Sequence, residues 1–291
     1  KKKAACSLIP KLVSGSNHNQ VLSQIHGIEL DRNLVQLSRF KLICTDLSAV
    51  NKKTQTNISI GDSILGGFGD KYDALVMNPP FIRNDTLTKH QKGLAKQYKS
   101  HLAETNGEQS LWSKTAKYNT SQPNYYHYHI EKCLSYLKED GVAATIVMEK
   151  MLHNESGEGL KNLLLNYLEA IISYPPKFFE DSKVTTCILI FKKKPTNDNI
   201  GFLNIKNTSL LANIDLLKDV LKNDQEIETQ DITLRFRSRL ELDPKDNWKH
   251  LFLPSSKWGQ GKEILDNFLE KFNCIPITEV FKVTRGNADN N

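Results

Sequence analysis

One short motif has residue types that suit a chemical role: Asn78, Pro79, Pro80 and Phe81 directly follow an apolar run at residues 74–77. A proline restricts the residue before it to extended conformations and has no backbone N–H. This motif, called NPPF below, therefore holds Asn78 rigid and leaves nearby carbonyl groups free. The side-chain oxygen of Asn78 and the carbonyl of Pro79 can each accept one amino hydrogen, while Phe81 stacks on a ring. The motif predicts a pocket for a flat substrate that carries an NH2 group.

Such a pocket would make an exocyclic amine reactive. The amine of a heteroaromatic ring is a poor nucleophile because its lone pair is delocalised over the ring. Two acceptors draw the nitrogen toward tetrahedral geometry and offset the positive charge that grows during attack on an electrophile. The alternative is that the two prolines only end a strand. Because proline makes up about 5% of residues in proteins, the tetrapeptide rarely arises by chance, and the functional interpretation is favoured.

The segments around the motif alternate between strand-like and helix-like patterns, which favours a doubly wound α/β fold with a mostly parallel sheet. The last two strands have no obvious helix between them, so a late antiparallel strand is predicted at the sheet edge. Helices are expected within residues 1–13, 31–47, 121–140 and 158–168, with Asp31 as an N-cap and Gly141 as a stop signal. Strands are expected within residues 21–30, 57–65, 72–80, 141–149, 168–175 and 185–194.

Composition places the chain among ordinary globular proteins, with 39% hydrophobic and 25% charged residues in a length of 291. No apolar run approaches the roughly 20 residues that are needed to cross a bilayer. The five cysteines are odd in number and widely spaced, which predicts buried thiols of a cytoplasmic protein and neither a disulfide framework nor a metal site. The net charge of +6 fits either a polyanionic partner or a solvated surface.

A basic insertion interrupts the pattern at residues 82–117, directly after the motif. Connections of this length are usually functional or disordered. Basic side chains outnumber acidic ones here, so the insertion could contact the phosphates of a nucleic acid. A solvated charged loop is the alternative. The candidate DNA-binding residues are Arg83, Lys89, Lys92, Lys96 and Lys99.

With its NPPF motif after a hydrophobic strand, the sequence resembles the adenine-N6 DNA methyltransferases. Residues 178–194, 235–248 and 277–291 are similar to segments of the methylation subunits of type I restriction-modification systems and of the fused type IIG enzymes. The resemblance implies a Rossmann-like methyltransferase core, S-adenosylmethionine as the methyl donor and double-stranded DNA as the substrate. It also implies specificity and restriction subunits as partners, and a basic insertion that contacts DNA phosphates and closes over an extruded base.

The resemblance assigns cofactor-binding roles to four residues. Glu29, at the end of a predicted strand, would bind the ribose hydroxyls of the cofactor, and Leu30 would pack on its adenine. Asp62 would accept a hydrogen bond from the adenine amine, with Ser63 beside it. The family's glycine-rich cofactor motif has no match between Lys1 and the first predicted strand. We therefore expect the chain to be the central piece of a larger enzyme, inactive by itself.

Two domains are predicted, with a soft boundary where the strand and helix alternation fades. Residues 1–194 would form a truncated catalytic core, and residues 195–291 a connecting segment that leads into a truncated target-recognition region near Val283. Phe178 and Phe179 would either wall the pocket of the flipped base or belong to the core. Two other functions remain open: an amino-methyltransferase acting on RNA bases or protein glutamine, and a non-enzymatic remnant that only binds nucleic acid.

Overall fold

A computed structural model describes residues 18–50, 54–66, 69–115, 123–175, 184–207, 209–210, 225–253 and 271. Three predictions lie outside these residues: the helix within residues 1–13, the pair Phe178 and Phe179, and the recognition region near Val283. Within the described ranges, no helix is long and apolar enough to cross a membrane.

The described residues form five α-helices and nine strands. The elements of the first half are α1 (His18–Gln24), β1 (His26–Glu29), α2 (Arg32–Ile43), β2 (Asn57–Ile60), β3 (Tyr72–Met77), α3 (Lys89–Asn106) and α4 (Tyr126–Tyr136). Those of the second half are β4 (Leu137–Met148), α5 (Glu158–Leu165), β5 (Leu168–Ser173), β6 (Thr186–Lys192), β7 (Asn199–Ile205), β8 (Ile227–Glu228) and β9 (Ile232–Ser238).

The strands form two sheets. Strands β1 and β2 make a parallel pair, and the other seven are ordered β3-β4-β6-β5-β7-β9-β8. In the larger sheet β3, β4, β5, β7 and β8 run one way, whereas β6 and β9 run the other way. The predicted α/β class with a mostly parallel sheet and a late antiparallel strand is therefore confirmed.

The predicted place of that antiparallel strand at the sheet edge is wrong. Strand β6 lies inside the sheet, between β4 and β5, because its alternate residues Cys187, Leu189 and Phe191 are fully buried in the main core. Strands β7 and β9, which follow residue 194, continue the same sheet. The division into two domains near residue 195 stays a prediction.

Three apolar clusters lie within the described residues, and one of them joins β5, β7 and β9 away from the motif; the other two are called the larger and the smaller cluster below. The larger one joins the sheet to α4, α5 and Trp248, whose ring meets Phe202 edge-on at a centroid distance of 6.5 Å. The smaller one joins α3, α4 and the turn after β2, and it includes Ile64, Tyr98 and Tyr128. Through Ile64, the smaller cluster lies beside Asp62 and Ser63, two of the residues with a predicted role in cofactor binding.

Three predicted strands differ from the structure, and the one within residues 57–65 ends at Ile60 and is followed by a turn. Residues 21–24 belong to helix α1 instead of a strand, because His18 and Leu22 lie one turn apart and both are buried. Strand β3 was expected to be buried, yet the side chain of Val76 is 86% exposed. The reason is that β3 lies at the edge of the described sheet and pairs only with β4.

The predicted stop signal of the third helix has a different role. Helix α4 ends at Tyr136, and Gly141 lies inside strand β4. The register between β3 and β4 shifts here, so that Leu137 pairs with Tyr72 and Val142 with Ala74. A Cβ atom on Gly141 would lie 2.8 Å from the carbonyl oxygen of Tyr72, so this irregularity requires a glycine.

Half of the basic insertion forms helix α3, so the insertion is not a solvated loop throughout. Its N-terminus is a capping box, in which Thr88 and Gln91 each satisfy the other's backbone N–H. Its buried face carries Ala95, Tyr98 and Leu102, which pack in the smaller cluster. The insertion therefore packs against the same cluster as the turn after β2.

Candidate active site

A cavity of about 500 Å³ lies between the two-stranded pair and the larger sheet. Residues of β1, β3, α4 and the NPPF motif line it. The rings of His26 and Tyr72 are in contact across this gap, with centroids 5.1 Å apart. Glu29 ends β1 and Asn78 follows β3, so both lie at carboxyl ends of strands, where ligands bind in open α/β sheets.

The NPPF motif contributes one wall of the cavity through Asn78, Pro79 and Pro80. Pro79 is buried, and its packing fixes the backbone next to Asn78. The side chain of Asn78 is exposed, and none of the described residues forms a hydrogen bond with it. Its oxygen and amide group are therefore available to a ligand.

Phe81 turns to the protein core. Its ring meets the Tyr126 ring edge-on, with centroids 6.0 Å apart and planes at 87°. The backbone N–H of Tyr125 donates to the carbonyl of Ile82 at 2.9 Å, which ties the chain after the motif to the start of α4. These contacts make the motif rigid, and stacking of Phe81 on a substrate ring stays a prediction.

The turn between β1 and α2 positions Glu29. The Asp31 side chain accepts from the backbone N–H groups of Asn33 at 2.7 Å and Leu34 at 3.1 Å, which confirms the predicted N-cap. The backbone N–H of Asp31 donates in turn to Oε1 of Glu29 at 3.1 Å. Glu29 lines the cavity with its orientation fixed, whereas the side chain of Leu30 is 65% exposed.

Residues 62–65, called the 62–65 loop below, form another part of the wall. Ser63 and Ile64 line the cavity, and Asp62 holds the loop together without lining it. Oδ1 of Asp62 accepts from the backbone N–H groups of Ile64 at 2.8 Å and Leu65 at 3.0 Å. Oδ2 accepts from the Tyr98 hydroxyl at 2.6 Å. A contact between Asp62 and the cofactor's adenine amine stays a prediction.

One wall was missed by the sequence analysis. Helix α4 lines the cavity with four residues spaced at i, i+3, i+4 and i+7, which share a helix face: His129, Lys132, Cys133 and Tyr136. The hydroxyl of Tyr136 donates to the carbonyl oxygen of Ser63 at 2.8 Å. The signal in the sequence was a set of polar residues at helical spacing beside the apolar stripe of the same helix.

Burial controls the charges of this wall. It lowers the pKa of His129 to about 4, against an opposing effect of Asp62, so the imidazole is neutral near pH 7. Burial also lowers the pKa of Lys132, whose Nζ lies 2.9 Å from Nε2 of His101. The neutral His129 thus adds no positive charge to the cavity.

No metal site is present in the described part of the chain, since no group of three or more His, Cys, Asp or Glu side chains could hold an ion. Cys133 and Cys187 are buried free thiols, as predicted, whereas the free thiol Cys44 is only partly buried; Cys6 and Cys274 lie outside the described residues. Burial raises the pKa of Cys133 to about 12, so this cavity-lining thiol stays protonated.

The candidate DNA-binding residues fall into two groups. Lys89, Lys92 and Lys96 are exposed along one face of α3, opposite its buried face. Lys99 is partly buried, and its Nζ lies 5.0 Å from the centroid of the Trp112 ring. Arg83 forms an ion pair with the Asp85 carboxylate, in which Nε donates to Oδ1 at 3.0 Å. The first three lysines are therefore the better placed for an external polyanion.

The fold of the chain is found in solved structures of restriction-modification proteins. The type IIG restriction endonuclease BpuSI matches with a TM-score of 0.64 and 19% identity, over 92% of this chain and 31% of that chain. A type I restriction-modification methyltransferase subunit from Streptococcus thermophilus matches with a TM-score of 0.53 and 17% identity, over 74% of this chain and 44% of that chain. The chain therefore has the Rossmann-like α/β fold of the methyltransferase class.

Residues 8–246 match the model of the N-6 DNA Methylase family, and the chain belongs to this family. It is 26% identical over 202 residues to the type II restriction enzyme and methyltransferase RM.Eco57I of Escherichia coli, which covers 63% of this chain and 20% of that protein. It is 23% identical over 237 residues to the type II methyltransferase M.AccI of Acinetobacter calcoaceticus. This match covers 80% of this chain and 38% of that protein. The predicted resemblance is confirmed, and the chain spans less than half the length of these two relatives.

Proposed function

We propose that the chain is the catalytic core of a cytoplasmic enzyme that transfers a methyl group from S-adenosylmethionine to the N6 amine of adenine in DNA. The enzyme would act in a restriction-modification system, together with specificity and restriction subunits or domains. Membership of the N-6 DNA Methylase family and the names of the two relatives support this proposal. The observation that carries it is that Asn78 and Pro79 line the same cavity as Glu29 and Ser63.

The residues of the cavity fit the cofactor. A volume of about 500 Å³ lies within the roughly 300–1,000 Å³ of small-molecule sites. Among the described residues, only the Asp31 N–H donates to Glu29, so Oε2 of Glu29 is available to accept ribose hydroxyls. Neutral His129 does not repel a cationic sulfonium. When bound, S-adenosylmethionine supplies an electrophilic methyl group.

Asn78 and Pro79 would make the target amine reactive. The side-chain oxygen of Asn78 and the carbonyl of Pro79 each accept one amine hydrogen, which localises the nitrogen lone pair. The two acceptors would thereby hold this lone pair toward the methyl group that the bound cofactor would supply, with sulfur keeping the electrons of its bond to that carbon. The two acceptors stabilise the positive charge on nitrogen until its extra proton leaves to water.

Helix α3 would hold the DNA beside the motif. It follows the NPPF motif in the chain after one short turn, and its exposed lysines can neutralise phosphates without reading bases. The proposed DNA-binding residues are Lys89, Lys92 and Lys96, with weaker contributions from Arg83 and Lys99 because each of these has an internal partner.

The chemical identity of the product tests the proposal. Full-length enzyme that carries this chain would be incubated with methyl-labelled S-adenosylmethionine and, in separate reactions, with duplex DNA, RNA and an unrelated protein mixture. We expect label in N6-methyladenine after digestion of the DNA. Label in an RNA base or in protein glutamine would instead support one of the alternatives and contradict the proposal.

A further inference from the structure

The insertion helix α3 is bonded directly to the wall of the cavity. The hydroxyl of Tyr98 donates to Oδ2 of Asp62 at 2.6 Å. Tyr98 is 2% exposed whereas Asp62 is partly exposed, so the hydroxyl end of this bond is shielded from water. Burial, aided by the hydrogen bond to Asp62, raises the pKa of Tyr98, and the hydroxyl therefore remains a donor at physiological pH.

Aromatic packing fixes the position of this hydroxyl. The Tyr98 ring contacts the rings of Tyr125 and Tyr128, each at a centroid distance of 5.7 Å. All three rings belong to the smaller apolar cluster, which also contains Ile64 from the cavity wall. A displacement of α3 therefore has to displace Tyr98, and the hydroxyl cannot keep its place by a change of rotamer alone.

Asp62 transmits the position of Tyr98 to the cavity. The other oxygen of its carboxylate binds the backbone N–H groups of Ile64 and Leu65, as described above. These bonds define the 62–65 loop, of which Ser63 and Ile64 line the cavity. The shape of the cavity wall thus depends on a bond that originates in the insertion.

The opposite face of the same helix carries the exposed lysines. Lys89, Lys92 and Lys96 lie at i, i+3 and i+7, on the side of α3 that faces away from Tyr98. One rigid helix thus has a face for a polyanion and a face that holds the cavity wall. Two sites that bias the same element are linked energetically, and the effect is reciprocal.

We propose that Tyr98 is a positioning residue that couples DNA contact at the lysine face of α3 to cofactor binding in the cavity. DNA that holds α3 in its docked position favours the loop conformation that binds the cofactor, and bound cofactor strengthens DNA binding equally. This inference rests on the proposed function, since it takes the cavity as the cofactor site and the lysine face as the DNA site.

The test compares cofactor affinity with and without DNA in full-length enzyme. S-adenosylhomocysteine serves as the probe, since it occupies the cofactor site without methylating the duplex. Calorimetry should give a Kd in the wild type that is about fivefold or more lower when the site is saturated with duplex DNA. In Tyr98→Phe, which removes only the hydroxyl, this ratio should fall below about twofold.

Tyr136→Phe is the matched control, because Tyr136 also donates a hydroxyl hydrogen bond to the 62–65 loop, but from α4. It should weaken S-adenosylhomocysteine binding to a similar extent with and without DNA, so the ratio should stay near that of the wild type. An unchanged ratio in Tyr98→Phe, an equal fall of the ratio in Tyr136→Phe, or a wild-type ratio of one would overturn the coupling while the proposed function stands. A wild type that binds neither probe nor DNA would overturn both.

Discussion

Glu29 and Asn78 line one cavity from two different sheets. Glu29 ends a strand of the two-stranded pair, and Asn78 follows the edge strand of the larger sheet. This arrangement gives the cavity a carboxylate on one side and, on the other, an amide that accepts no hydrogen bond from the described residues. A cofactor held by the first can therefore meet an amine held by the second. The separation of these two roles makes each residue testable independently.

Removal of the charge of Glu29 should weaken cofactor binding and leave the other functions of the site unchanged. In Glu29→Gln the size is kept, but a charge-assisted hydrogen bond to the ribose becomes a neutral one. The Kd for S-adenosylmethionine in full-length enzyme should rise about tenfold or more, as measured by calorimetry. Glu241→Gln, an exposed position outside the cavity, is the control. Equal affinity in Glu29→Gln and the control would remove Glu29 from the cofactor site.

The lysines of α3 should set the salt dependence of DNA binding. A combined change of Lys89, Lys92 and Lys96 to alanine should flatten the slope of log affinity against log salt by about 0.9 for each phosphate that is no longer neutralised. Fluorescence anisotropy with several unrelated duplexes over a salt series measures this slope. Lys99→Ala should change it less, because Nζ of Lys99 lies over the Trp112 ring. An unchanged slope in the triple variant would mean that α3 does not face DNA.

Acid should destabilise the fold through His127. This buried imidazole donates from Nδ1 to the carbonyl of Asn124 at 2.8 Å, and burial lowers its pKa from 6.5 to about 4. Between these values the unfolded chain binds a proton that the folded chain does not. The free energy of unfolding therefore falls as the pH decreases from about 6.5 to 4, by up to about 3 kcal/mol from this group.

Urea unfolding over a pH series checks this effect. His127→Asn keeps a donor for the Asn124 carbonyl but cannot be protonated, so its stability should depend less on pH in that window. His90→Asn changes an exposed histidine of α3 and is the control. The same pH dependence in His127→Asn and in the wild type would show that His127 is not buried in the neutral form. His129, whose pKa burial lowers in the same direction, should retain part of the dependence in both variants.

Local patterns explain what the sequence predicted well. The NPPF motif, the Asp31 cap and the acidic end of β1 each depend on neighbours in the chain, and the structure has all three in their expected local setting. The prediction of a strand at residues 21–24 was wrong because a short apolar run is compatible with a helix or a strand equally. Tertiary burial of His18 and Leu22 decided in favour of helix.

The α4 wall depends on contacts between distant segments, so it was not predictable in the same way. His129, Lys132 and Tyr136 face a cavity that exists only because the two-stranded pair lies opposite the edge of the larger sheet. The same is true of Tyr98, whose partner Asp62 is far away in sequence. The glycine at residue 141 was a correct sign of a special backbone, but its cause is the irregular β3–β4 pairing and not a helix end.

The central claim is that Asn78 activates the target amine, and single-turnover methyl transfer to duplex DNA by full-length Asn78→Ala tests it most directly. The removal of one acceptor in the transition state should slow transfer about 100-fold or more, which is roughly 3 kcal/mol, while S-adenosylhomocysteine affinity and folding are retained. Asn33→Ala, an exposed asparagine of α2 outside the cavity, should transfer at the wild-type rate. A near-normal rate in Asn78→Ala would contradict the claim.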